Sequence, residues 1–120
     1  MGFLHILEGH FSGDGGPAVQ ARLSMPSDVA IFPEDEDRFL IADRMNHRIR
    51  QVEGGIIKTV AGTGPPASPL DCGPRGAGDG GPATAAQLLE PAGVELLPGL
   101  PGAFAVAERA CHRIRLVDAC

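Results

Sequence analysis

The 120-residue chain has no tryptophan, no tyrosine and only five phenylalanines, and no apolar run approaches the about 18 residues that a membrane-crossing helix needs. Large aromatic anchors therefore cannot dominate its core, which must be built from small and β-branched side chains. Cysteine is also scarce. Cys72, Cys111 and Cys120 are an odd count at irregular spacing, which is neither a disulfide framework nor a zinc pattern, and a single bridge such as Cys111 to Cys120 stays open. The start of the chain lacks both a basic segment and a long apolar core, so no secretory signal is read there. Positive charge is in deficit: Lys and Arg total 10 against 15 Asp and Glu, a net charge of −5. That balance repels phosphate backbones at long range, disfavours nucleic acid as a partner and gives no reason to expect a membrane surface.

Glycine and proline are present in excess, 17 and 11 residues. Glycine has no three-residue period, so collagen is excluded, and clusters of both residues work against a helical bundle. Between the clusters lie short apolar runs of strand character: Val29 to Phe32, Phe39 to Ala42, Arg48 to Val52 and Ile56 to Ala61. The acidic run Glu34 to Asp37, after Pro33, reads as a solvated turn. The stretch Pro17 to Leu23, repeated at Pro82 to Leu88, is the only helix-like segment.

The chain repeats itself. A shift of 65 residues lays residues 13–52 on residues 78–117 with 19 identities in 40 positions and no gap, a register that chance does not produce. Gly13-Asp14-Gly15-Gly16-Pro17-Ala18 falls on Gly78-Asp79-Gly80-Gly81-Pro82-Ala83, and His47-Arg48-Ile49-Arg50 on His112-Arg113-Ile114-Arg115. Leu4 to Gly9 resembles Ile57 to Gly62 at the shorter shift of 53, so the second linker carries an insertion, at residues 65–76. Four short strands per repeat of this length predict an all-β chain of β-propeller blades, each a four-stranded antiparallel meander. Residues 3–8 are then the last strand of a preceding blade, 26–62 a full blade, 63–90 an inter-blade linker and 91–118 three strands of a further blade. About two blades make a partial propeller.

The motifs Gly13–Ala18, Pro26–Val29, Ile41–Arg50 and Thr59–Gly62, in this order, resemble the NHL repeat of β-propeller proteins. That resemblance implies a propeller, commonly of six blades, and a scaffold for protein–protein interaction. The second repeat departs from the pattern at Glu95, Glu108 and Cys111. Relatives of the resemblance also include propeller enzymes, of the metal-dependent lyase or hydrolase type, and RNA-binding domains.

No catalytic, cofactor-binding or metal-binding constellation is assigned. The Gly-Asp-Gly-Gly turns lack the spacing of phosphate loops, and their repetition points to a structural turn using positive φ at glycine. His47 and His112, in equivalent positions, read as structural groups paired with Asp43 and Glu108. The structural repeat positions are thus Gly13, Asp14, Gly15, Gly16, Asp43, His47, Arg48 and Arg50, with Gly78, Asp79, Gly80, Gly81, Glu108, His112, Arg113 and Arg115. Meander topology places the second-to-third strand turns at the end of the blade where the linker enters. Arg44, Met45, Asn46, Arg109 and Cys111, in turns where Met45 and Asn46 give way to Ala110 and Cys111, are therefore the candidate rim for a protein partner. Unpaired blade faces also predict self-association.

Overall fold

The structure is a computed structural model that describes residues 7–8, 11–65 and 79–118. It is all-β. A short parallel pair, β1 (Leu7–Glu8) and β2 (Arg22–Leu23), precedes a four-stranded antiparallel meander of β3 (Pro26–Phe32), β4 (Asp35–Asp43), β5 (Arg48–Glu53) and β6 (Ile56–Ala61). A three-stranded meander follows, made of β7 (Pro91–Leu96), β8 (Phe104–Glu108) and β9 (Arg113–Val117). The β5–β6 hairpin closes through Gly54 and Gly55, both at positive φ, the geometry that a two-residue turn needs to follow strand twist.

The register carries the sequence repeat into space. Val29, Ile41, Arg50 and Thr59 stand side by side across the first sheet, as Val94, Val106 and Arg115 do across the second. Strand alternation gives each sheet two faces. One face of the first sheet, with Leu40, Ala42 and Ile49, packs on Val94, Phe104 and Val106 of the second. The other face, with Ile41, Val52 and Ile57, is covered by Ala18, Ala21 and Leu23 of the first linker. These small and branched groups fill the volume that the missing aromatics would have occupied. Two hydrogen bonds fasten the first strands of the sheets: Ser27 Oγ donates to the Ala92 carbonyl (2.8 Å), and the Val94 N–H donates to Asp28 Oδ2 (2.9 Å).

Two local expectations change, and one question left open is answered. The helix-like segments are single 3-10 turns, Ala18–Gln20 and Ala83–Ala85, because the chain returns at once to extended backbone at Ala21 and Ala86. The acidic run turns only at Pro33 and Glu34, and Asp35 to Asp37 already belong to β4, exposed at its outer end. Cys111 is disulfide-bonded. Cys72, Cys120, Gly78 and all of the 65–76 insertion except Pro65 lie outside the described residues.

Candidate functional site

The Gly-Asp-Gly-Gly turn of the first repeat lies along the edge of β6. The Gly15 N–H donates to the Ile57 carbonyl (2.7 Å), the Ile57 N–H to the Gly16 carbonyl (3.1 Å), and the Ala18 N–H to the Gly55 carbonyl (2.7 Å). Gly13 is required where it stands: its φ is +93°, and a β-carbon there would sit 2.7 Å from Ala21 Cα.

The turn delivers Asp14 to Arg50, which is wholly buried. The Arg50 guanidinium donates to Asp14 Oδ1 (2.8 Å), to the carbonyls of Ser12 and Arg22 (2.8 Å each) and to Asp43 Oδ2 (3.4 Å). Asp14 also accepts from the Thr59 hydroxyl, and Asp43 from the Ser24 N–H and the Asn46 amide (2.8 Å each). Burial pushes the Asp43 carboxyl up from its ordinary range, against the pull of Asn46, the Ser24 N–H and Arg50. A buried charge persists only when it is paired and hydrogen-bonded, and here both partners are.

The second repeat rebuilds this pin 65 residues on. Arg115 donates to Asp79, to the Gln87 carbonyl and to Glu108 Oε1 (3.0 Å), while Glu108 Oε2 accepts from the Leu89 N–H (3.0 Å). The longer glutamate reaches the same backbone donor that Asp43 reaches. Arg113 adds a contact to Glu108 (3.5 Å), whereas Arg48, its counterpart, stacks on the Phe11 ring 3.6 Å from the centroid. Gly80, with φ +86°, occupies the open position of its turn as Gly15 does, and Gly81 follows it as Gly16 follows Gly15.

The acids therefore pair with the arginines and not with the histidines. His47 and His112 cap their turns at positive φ, +54° and +52°. His47 Nδ1 instead accepts from the Glu90 N–H of the second repeat (3.0 Å), so the ring is neutral there with its proton on Nε2. Burial lowers its pKa below the ordinary 6.5; Glu90 opposes that shift and Arg48 adds to it.

The candidate rim is only partly open. Asn46 is buried, spent on Asp43, and Arg44 is half-buried beside Glu90 (3.8 Å) and Met25. Cys111 is half-buried and bridged. Met45 and Arg109 present their side chains to solvent, and the Arg109 guanidinium has no ion-pair partner among the described residues. The 3-10 turn Arg44–Asn46 explains the split, because it rotates Asn46 inward and Met45 outward. Glu90 escaped the sequence reading. It holds Arg44 by charge, His47 through its N–H and the Arg109 N–H through its carbonyl (3.1 Å), so the two repeats meet at it. Its signal was faint: it precedes a proline, and its counterpart Met25 is unlike it in chemistry but shares its positive φ. Among the described residues no group of three or more His, Cys, Asp or Glu is placed to hold a metal ion.

No protein-family model and no curated protein matches the chain. Solved structures do. A Bacteroides thetaiotaomicron protein described as a "putative phosphatase" superposes with a TM-score of 0.69 at 23% identity over 97% of this chain. An auxiliary nutrient binding protein of the same organism gives 0.65 at 28% identity over 90%, and one from Bacteroides ovatus gives 0.64 at 23% over 89%. In each case the chain spans 26% of the length of the solved protein. The likeness is one of fold: this β-rich arrangement of strands recurs as a part of larger proteins.

Proposed function

We propose that the chain is a segment of an NHL-like β-propeller and works as a scaffold whose loop rim binds a protein partner. One observation carries the reading. Both repeats spend an arginine and two acids, Asp14, Asp43 and Arg50 and then Asp79, Glu108 and Arg115, on the same pin, while Met45 and Asn46 of the first turn give way to Ala110 and Cys111 in the second. Scaffolds that keep a frame constant and vary its loops are built this way. Met45 and Arg109 supply an apolar and a cationic contact, a combination suited to a protein surface. The net charge of −5 argues against RNA at the same rim.

The test is substitution at exposed positions. Arg109→Glu and Met45→Ala leave thermal unfolding of the chain in place and weaken capture of a protein partner from native extract. Unchanged capture by the double variant removes the rim from the reading. Hydrolysis of p-nitrophenyl phosphate by the purified chain, above that of a heat-denatured control, would replace the scaffold with an enzyme.

A further inference from the structure

At the rim end, the contact between the two sheets runs through one imidazole. His47 Nδ1 accepts from the Glu90 N–H (3.0 Å), the Glu90 carbonyl accepts from the Arg109 N–H (3.1 Å), and the Glu90 carboxylate lies 3.8 Å from Arg44 Nε. One residue of the second repeat is thus tied to two of the first. Arg48 follows the ring in β5, with its guanidinium turned to Phe11 and to the Thr63 carbonyl (3.4 Å). The charged groups around the ring are therefore Arg44 on its own turn, Arg48 on β5, Glu90 on the segment that enters β7 and Arg109 on the β8–β9 turn. Asp43 and Glu108, at the ends of β4 and β8, are spent on Arg50 and Arg115. Glu90 is the acid left to answer a charge on the ring.

Two features leave this joint able to change partners. The first is incomplete satisfaction. Arg44 Nε is buried, has no hydrogen-bond partner among the described residues, and meets Glu90 at a distance that charge spans but a hydrogen bond does not. The second is strain. Glu90 has φ +45° and precedes Pro91, and both its own side chain and the proline ring resist that backbone. Such conformations persist where surrounding contacts over-determine them, and here those contacts come from His47 and Arg109. Met25, the counterpart of Glu90, shares the positive φ but has no carboxylate. The arrangement therefore belongs to this seam and not to the repeat as such.

We propose that this seam is a proton-operated switch: when His47 takes up a proton, the Glu90 carboxylate leaves Arg44 for the imidazolium, and the Arg44 guanidinium is released to the rim surface. The balance is one proton. It enters at Nδ1, the nitrogen whose lone pair holds the Glu90 N–H, so the acceptor becomes a donor and two N–H groups face each other. That hydrogen bond breaks, and the carboxylate on the same residue is the group that can meet the new donor. Burial lowers the pKa of the ring, with Glu90 opposing and Arg48 assisting, so the step falls below the ordinary 6.5. The change stays at the rim end. Elsewhere the sheets are held by the bonds from Ser27 to Ala92 and from Val94 to Asp28, and by the apolar contact between them. The switch goes beyond the rim reading and does not depend on it, because it needs no partner to operate.

Nuclear magnetic resonance of the 120-residue chain tests it, followed from about pH 8 to about pH 5, the range in which imidazoles titrate. The His47 ring nitrogens, the Glu90 amide and the Arg44 Nε–H shift together with one midpoint, while the Val94 amide stays in place. Glu90→Gln keeps the N–H that His47 accepts but not the charge, so the His47 midpoint moves down and the Arg44 signal stops following it. His47→Asn removes the step from both Glu90 and Arg44. Far-UV circular dichroism confirms that both variants fold. An Arg44 signal that stays fixed while His47 titrates overturns the proposal. So does an Arg44 step that survives His47→Asn, which would assign it to titration of Glu90 itself. A Val94 amide that moves with the His47 midpoint overturns it too, because the sheets would then be parting as a whole.

Discussion

The pins of the two repeats use the same chemistry in different surroundings. Arg50 is wholly buried, and its acid Asp14 is 32% exposed and further held by Thr59 of β6. Arg115 is 9% exposed, and Asp79 is 58% exposed beside an open groove. The arginine and its two acids are set by local sequence, but how dry they are is set by the strand that lies over them. Replacing Arg50 by alanine strands Asp43 and two backbone carbonyls in a dry site, and should cost about 3–5 kcal/mol. Arg115→Ala should cost less, about 1–3 kcal/mol, because the buried Glu108 keeps its contact to Arg113 and Asp79 can turn to water. Urea unfolding followed by circular dichroism reads both, and equal losses would show that the covering strand contributes nothing to the pin.

The turns divide the same way on a smaller scale. Gly13→Ala meets both a positive φ and Ala21, so it should destabilise by more than the about 1–3 kcal/mol of backbone strain alone. Gly15→Ala and Gly80→Ala place a β-carbon in open space at nearly the same φ and should cost that strain only, equally in both repeats. A difference between these two would mean that the turns are not the equivalent structures their backbones describe.

Much of this frame was legible in the residues. The 65-residue register alone put Asp14 with Asp79, Asp43 with Glu108 and Arg50 with Arg115, and the apolar runs Val29 to Phe32 and Phe39 to Ala42 marked strands. What stayed hidden was partnership. From sequence, Asp43 and His47 look like neighbours across a turn. In space the His47 ring meets the Glu90 N–H of the second repeat, and antiparallel pairing sets Asp43 opposite Arg48 with Arg50 reaching back along the strand. Asn46 looked like an open loop residue until the 3-10 turn rotated it onto Asp43. Glu90 was illegible because its role depends on the other repeat being beside it, which periodicity within one sheet does not encode.

The seam at Glu90 gives the smallest expected effect and the most specific one. The fold lowers the pKa of His47 below 6.5, so the folded chain takes up that proton less readily than the unfolded chain. Stability from the neutral ring is then complete above about 6.5 and is lost as pH falls through that value toward the lower pKa of the folded form. Protonation also converts Nδ1 from an acceptor into a donor and breaks the bond from the Glu90 N–H, a loss of about 1 kcal/mol. Glu90 pulls the other way and Arg48 reinforces the shift, so the balance is local to the seam. His47→Asn keeps a residue that tolerates left-handed backbone while removing the ring. The variant should lose that part of the pH dependence between neutral and mildly acidic conditions, with a small fixed cost at neutral pH. Unfolding midpoints measured across that window check it, and an unchanged slope would mean that His47 does not sense the contact between the two repeats.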